Sequence, residues 1–269
     1  MHDELLLDSP IYKDRETIQS IFDKMADILL NRTILKIGSK DCILTEIECY
    51  IFNANHPDLY THRDDDQKKA LHWYFHKAAG KSYRGGTYKG MDITFGFKDQ
   101  KTPIYGGVLI RAIRLGEEEV AGPSKVVDKI LSIFKKKSIS SLVKYLKTLD
   151  INKSALKLVL TDVNRNQPIY QSPRVGLSFK YPKYAVKNYR YLTNIDSVEK
   201  YKPSVIVELY LKGMAIKNIA TVTKTNEALV LKYIDLYKAG QKLDNIDGLK
   251  PSNKNIVLLS GYMSKQREH

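Results

Sequence analysis

The sequence predicts a mixed α/β protein of the α+β class, an antiparallel sheet flanked by helices and followed by a small helical domain. Three observations carry this. Cys42 to Tyr50, CILTEIECY, alternates apolar and polar residues with a period of two, as a strand with one face in a core does. Residues 14 to 30, DRETIQSIFDKMADILL, set Ile18, Ile21, Phe22, Met25, Ile28 and Leu29 at helical spacing. From Pro203 onward, three helical stretches follow one another with only short breaks.

Taken in order, Asn31 and Arg32 end the first helix and TILKI begins a strand. Gly38 to Asp41 form a turn into the Cys42–Tyr50 strand. Its alternation sets Ile43, Thr45, Ile47 and Cys49 on one face, and Leu44, Glu46, Glu48 and Tyr50 on the other. Residues 53 to 72 are polar and rich in turn formers. They read as a loop with one short helix, carrying His56, Asp58, His62, Asp64, Asp65 and Asp66. WYFHKAAG supplies an aromatic cluster for the core. SYRGGTYKG, Ser82 to Gly90, combines glycines with Tyr83, Arg84, Tyr88 and Lys89 and reads as a turn that approaches a ligand. Met91 to Phe97 and Ile104 to Ile113 are the next strands. GPSKVVDKI opens a helix at Gly122 and Pro123, where backbone N–H groups suit a phosphate or simply a capped helix. SPRVGLS is a turn and short strand. In YPKYAVKNYRYL, tyrosines interleave with Lys180, Lys183, Lys187 and Arg190, a pattern suited to contacting a nucleic-acid backbone. The expected domains are residues 1–200 and 201–269. The three helices of the second resemble a helix-turn-helix, with the third as its recognition helix, or equally a protein-binding bundle. The tail, GLKPSNKNIVLLSGYM, is expected to return to the body as a strand.

Bulk composition narrows the classes. Of 269 residues, 43% are hydrophobic, which suits a globular chain. No apolar run is long enough to span a bilayer. MHDELLLDSP lacks the basic and apolar regions of a secretory signal. Cys42 and Cys49, placed on opposite faces of one strand, are not expected to pair. Together these point to an intracellular protein, in the cytoplasm or nucleoid or, in a eukaryote, the nucleus. The net charge of +14 is unevenly spread. Residues 1–120 hold 17 basic and 19 acidic side chains, while residues 121–269 hold 27 and 11. Such a lopsided balance favours a polyanionic partner, most simply nucleic acid, over the alternative of a solvated lysine-rich surface.

Glu48 is the carboxylate best placed for chemistry. Tyr50 lies two residues along on the same side of the strand, His62 follows across a loop, and Arg111 can set a fixed positive charge beside them. A partly desolvated glutamate suits a general base that deprotonates water, and an aromatic plane beside it suits a stacked base. This constellation fits hydrolysis at a sugar C1, through an oxocarbenium-like transition state. The structural alternatives are a buried Glu48–Arg111 ion pair and an exposed loop histidine. Glu46, Glu48, His56, Asp58, His62, Asp64 and Asp92 are potential metal ligands, but none falls in a specific metal-binding signature.

At these residues the sequence resembles a known family. TEIECY, VLIRAI, GPSKVVDKI and PRVGLS are similar, in order and separation, to the landmarks of the alkyladenine (3-methyladenine) DNA glycosylases, over roughly residues 15 to 195. The resemblance implies one mixed α/β domain with a curved antiparallel sheet. It implies an enzyme that flips an alkylated purine out of duplex DNA and hydrolyses its N-glycosidic bond without metal or organic cofactor. Glu48 then activates water and Tyr50 stacks on the flipped base, with Tyr83 or Tyr88 opposite. His62 contacts the base or the sugar-phosphate, and Arg111 lies near the flipped nucleotide's backbone. Arg84, Lys89, Lys125, Arg174 and Lys187 are expected to contact DNA. The sequence departs from the family in SYRGGTYKGMDITFG. Lys89 falls at the family's wedge position with Tyr88 beside it, and Gly96 replaces an asparagine that discriminates purines. The expected partner is double-stranded DNA with damaged purines, bound by a monomer, with no metal, no cofactor and no membrane. Two other classes remain open: a non-catalytic DNA-binding protein using the same surface, and a metal-dependent hydrolase or nuclease.

Overall fold

The computed structural model describes residues 17–78, 82–98, 103–196, 198 and 200–266. The first ten residues, on which the signal-peptide expectation rests, lie outside them. The chain divides into two compact units, one ending at Ile169 and the other beginning at Tyr170. That boundary falls about thirty residues before the expected one, because the strand that starts at Tyr170 already belongs to the second unit's packing.

The first unit contains α1 (Ile18–Asn31), β1 (Thr33–Ile37), β2 (Lys40–Asn53), β3 (His56–Pro57), β4 (Trp73–Phe75), β5 (Met91–Thr94), β6 (Tyr105–Leu115), β7 (Glu118–Ala121), α2 (Pro123–Ile133), α3 (Ile139–Leu146) and β8 (Leu156–Leu160). A short 3-10 helix, Asp65–Lys68, interrupts the polar loop. This is the expected α+β class with a curled antiparallel sheet, its strands ordered β4-β5-β6-β2-β1-β8. The curl brings the ends of that order together. The Trp73 indole N–H of β4 donates to the carbonyl of Leu156, where β8 starts, at 2.6 Å.

Helix α1 is capped by the Thr17 hydroxyl, which accepts from the Ser20 N–H at 3.2 Å. It buries Ile21, Phe22, Met25, Ile28 and Leu29 against β1 and β2. Phe22 meets Phe95, just past β5, edge-to-face at 6.0 Å. The apolar face of the sheet, with Ile47, Cys49, Val108, Ile110 and Ile93, therefore lies under α1.

The β2–β6 ladder is irregular around Glu46. Leu44 pairs with Ile113, Glu46 with Ala112 and Ile47 with Ile110, so Thr45 and Arg111 are each left out of the register. An extra residue in a strand reverses which parity faces the core. Before the irregularity Cys42 and Leu44 are buried, and after it Ile47, Cys49 and Ile51. This corrects the strict alternation read from sequence. Cys42, paired with the core residue Leu35, and Cys49 both face the core, and neither is in a disulfide. Burial pushes the Cys42 thiol up to about 11.

In the second unit β9 (Tyr170–Ser172) pairs with β10 (Arg190–Leu192), with α4 (Pro182–Ala185) between them. The expected three helices follow as α5 (Lys202–Leu211), α6 (Ile216–Thr223) and α7 (Glu227–Gln241), joined to one core that holds Ile206, Leu209, Ile219, Val230 and Ile234. On α7, Val230 is buried in this core and Leu231 is exposed. The tail is a helix, α8 (Asn255–Lys265), and not the expected strand. It packs on α7 through two glycines. A Cβ on Gly240 would lie 2.1 Å from the Leu258 carbonyl oxygen, and one on Gly261 would lie 2.0 Å from that of Tyr237. Among the described residues no helix is long and apolar enough to cross a membrane.

Candidate active site

The registers of β2, β6, β5 and β4 define one row across the sheet. Glu48 pairs with Leu109, Leu109 with Asp92, and Asp92 with Tyr74. Directly paired residues point to the same face, so these four side chains share the face opposite α1. A second row, Tyr50–Gly107–Thr94, runs beside it on that face. Glu48 and Asp92 are thus two strand spacings apart, roughly 10 Å between backbones.

On the β2 side, Glu48 is completely buried. Its Oε2 accepts from the Tyr50 hydroxyl at 2.7 Å, and its Oε1 lies 3.3 Å from Arg111 Nη1. Arg111 Nε donates to Glu46 Oε1 at 2.5 Å. The ladder irregularity is what lets one guanidinium serve two carboxylates, because Arg111 sits out of register between them. Burial alone would lower the Arg111 pKa, but Glu48 and Glu46 outweigh it and hold the guanidinium above its ordinary value. The Arg111 carbonyl accepts from the Gly122 N–H at 2.7 Å, which joins LIRA to the GPSK helix start. Gly122 caps α2 at φ +115, a conformation that favours glycine.

On the β4–β5 side, Asp92 is buried. Its Oδ1 lies 2.7 Å from His76 Nε2 and its Oδ2 3.4 Å from Gln67 Nε2. His62 joins this side. Its Nδ1 is 3.3 Å from the Tyr74 hydroxyl, and its ring meets His76 at 4.4 Å. Burial, then the neighbouring His76, lowers the His62 pKa to about 4, so the ring is neutral near pH 7. Burial, with Asp64 and Asp92, pushes the Tyr74 phenol above its ordinary value.

The structure thus brings Glu48, Tyr50 and Arg111 into contact and sets His62 with a different group of residues on the same face. The other expected residues lie as follows. Tyr83 packs edge-on against Phe75 at 6.3 Å, and Arg84 Nε donates to the Lys77 carbonyl at 2.9 Å. Tyr88, in a 3-10 turn over Gly86–Tyr88, is 72% exposed, while Lys89 pairs with Asp128 of α2. Lys125 is exposed in the first turn of α2, and Lys187 is half-buried. Arg174 is a correction. It is wholly buried, with its guanidinium 5.4 Å from the Tyr189 ring centre and donating to the Tyr184 carbonyl at 3.1 Å, so it does not present a charge to solvent. Among the described residues no group of three His, Cys, Asp or Glu side chains is arranged to hold a metal ion.

The sequence reading missed His76 and Gln67. A signal for His76 was present: in WYFH, Trp73 and Phe75 alternate with Tyr74 and His76, which puts the two polar rings on Asp92's face. Gln67 carried none, because it reaches Asp92 from the short 3-10 helix, outside any strand periodicity.

No protein-family model matches the chain. A protein of Acanthamoeba polyphaga mimivirus, described as uncharacterized protein L759, is 34% identical over 214 residues, a span covering 75% of this chain and 98% of the viral one. With that identity over nearly the whole viral protein, the chain belongs to the same family as mimivirus L759.

Proposed function

We propose that this protein is a monofunctional DNA glycosylase that flips an alkylated or deaminated purine out of duplex DNA and hydrolyses its N-glycosidic bond. The observation that carries the reading is Glu48, a wholly buried carboxylate oriented by the Tyr50 hydroxyl and the Arg111 guanidinium on the polar face of a curled sheet. A carboxylate kept in such a place needs a use or a full set of partners.

In the proposed reaction the C1′–N9 bond breaks and its electron pair leaves with the purine. Glu48 takes a proton from the water that adds to C1′, which leaves an abasic site. Extruding the nucleotide costs a few kcal/mol, least at damaged pairs. Tyr88, exposed in the 3-10 turn that precedes β5, is the side chain to fill the gap. Tyr50 stacks on the base. Lys125, at the start of an eleven-residue helix, and the basic second half of the chain hold phosphates. The turn Lys224–Asn226 between α6 and α7 fits a helix-turn-helix, which makes α7 a second DNA-contacting element in this reading.

The test is a gel assay on short duplexes that carry one hypoxanthine, one ethenoadenine or methylated purines, with alkaline cleavage after incubation in EDTA. Wild type is expected to cleave, and Glu48→Gln to lose on the order of 10²–10⁴-fold in rate. One observation favours a second reading: both Glu48 oxygens are engaged by protein groups, as in a purely structural ion pair. Salt-sensitive DNA binding with no abasic product from any substrate would establish that non-catalytic reading instead.

A further inference from the structure

Asp92 has no role in the mechanism just given, yet its position is specific. It shares a row with Glu48, across Leu109. Its Oδ2 lies 2.6 Å from where a Cβ on Gly107 would stand, and Gly107 is the residue directly opposite Tyr50. The carboxylate therefore leans over the glycine toward the stacking tyrosine, and only a residue without a side chain fits beneath it.

Asp92 is also under-supplied with donors. An ionised carboxylate offers about four acceptor positions. Among the described residues Asp92 receives one good hydrogen bond, at 2.7 Å from His76 Nε2, and one long one, at 3.4 Å from Gln67 Nε2, although its side chain is only 3% exposed. Most of the cations nearby are otherwise engaged or uncharged. Lys77 pairs with Asp66 at 2.6 Å and Asp64 at 3.3 Å, Arg84 is tied to the Lys77 carbonyl, and His62 is neutral near pH 7. Asp92 and its His76 contact lie in a dry place, where a carboxylate charge is poorly screened.

We propose that Asp92, fixed by His76 and Gln67, is a specificity-determining residue that selects purines carrying a positive charge, those alkylated at a ring nitrogen, over neutral lesions. This rests on the glycosylase reading above. A cationic base stacked on Tyr50 lies about one strand spacing from the carboxylate and is attracted across a poorly screened gap. Hypoxanthine, being neutral, gains no such attraction. His76 and Gln67 are positioning residues: they hold the carboxylate and do not touch the base.

The experiment measures single-turnover excision at about pH 8, above the ordinary histidine range. It compares a duplex bearing 7-methylguanine with one bearing hypoxanthine, for wild type, Asp92→Asn and Asp92→Ser. The readout is the ratio of the two rates, which a partly unfolded sample leaves unchanged. Both variants are expected to lower the 7-methylguanine rate about tenfold or more while shifting the hypoxanthine rate by less than about threefold. Equal losses on both substrates, or an unchanged ratio in whichever variant folds, would overturn the inference and leave the glycosylase reading standing. A wild type inactive on both duplexes would overturn the two together.

Discussion

On one face of the β2–β6 ribbon, Ile47, Cys49, Val108 and Ile110 are closed off beneath α1; on the other, Glu48 and Arg111 reach nearly the same burial while carrying charge. The first face is stable because apolar area leaves water and fills a shaped space. The second is stable only because each charge has a partner, since desolvating an unpaired ion costs several kcal/mol. The difference teaches where function sits. Substitutions on the apolar face change volume and cost stability. Substitutions on the polar face break pairings and are expected to change chemistry as well.

The sharpest way to break the comparison is Arg111→Met. It keeps the bulk but leaves Glu46 and Glu48 without the cation they share, and it is expected to cost about 3–5 kcal/mol in urea unfolding. A midpoint close to wild type would mean that the two carboxylates are satisfied without Arg111, and the two faces would then be less different than their chemistry suggests.

Tyr50→Phe is milder and more telling. It removes one hydroxyl that donates to Glu48 and leaves the ring in place. Hydrogen bonds to charged groups contribute about 1.5–3 kcal/mol, so a loss of that order is expected, together with about tenfold slower excision as Glu48 loses its orientation. If stability falls and the excision rate per folded molecule does not, Tyr50 supports the fold and not the reaction.

Ile110→Val, on the apolar face, is the matched control. Removing one buried methylene should cost about 0.5–1.5 kcal/mol and leave excision per folded molecule unchanged. A lost activity here would show that the two faces are coupled through the ribbon and do not divide stability from function.

How much of this could be read from the sequence follows from the same contrast. The helix and most strands were legible because burial on one side imposes a period on the chain, as Ile21, Phe22, Met25 and Leu29 do in α1. The Glu48–Tyr50 pair was legible for the same reason, two residues apart on one strand. The ladder irregularity at Thr45 and Arg111 was not. It comes from pairing between strands some sixty residues apart, and it reverses the face of Cys42 without disturbing the local pattern. Asp92's neighbours were hidden in the same way, because Gln67 and His76 meet it only through tertiary folding. In the tail, NIVLLSGYM carries enough β-branched and apolar residues to suggest a strand. Gly240 and Gly261 decide otherwise, by letting two helix backbones approach more closely than any side chain would allow.

The smallest expected effect separates burial from charge within the polar face itself. His62 has a folded pKa of about 4 against an ordinary 6.5, lowered first by burial and then by His76. As pH falls through 6.5 the unfolded chain takes up a proton that the folded chain refuses. The contribution of the neutral ring is therefore fully present above pH 6.5 and is lost progressively toward pH 4. The ring packs against Tyr74 and His76, but the residue keeps more than a third of its surface in water, so solvent screening limits the change to less than about 1 kcal/mol. Urea midpoints for wild type and His62→Gln at pH 7 and pH 4.5 measure it as a double difference, in which the titration of the carboxylates common to both proteins cancels. His62→Gln should lose less stability on acidification than wild type. Equal losses would mean that the ring accepts its proton in the folded state as readily as in the unfolded one, and that the contacts with Tyr74 and His76 do not hold it neutral.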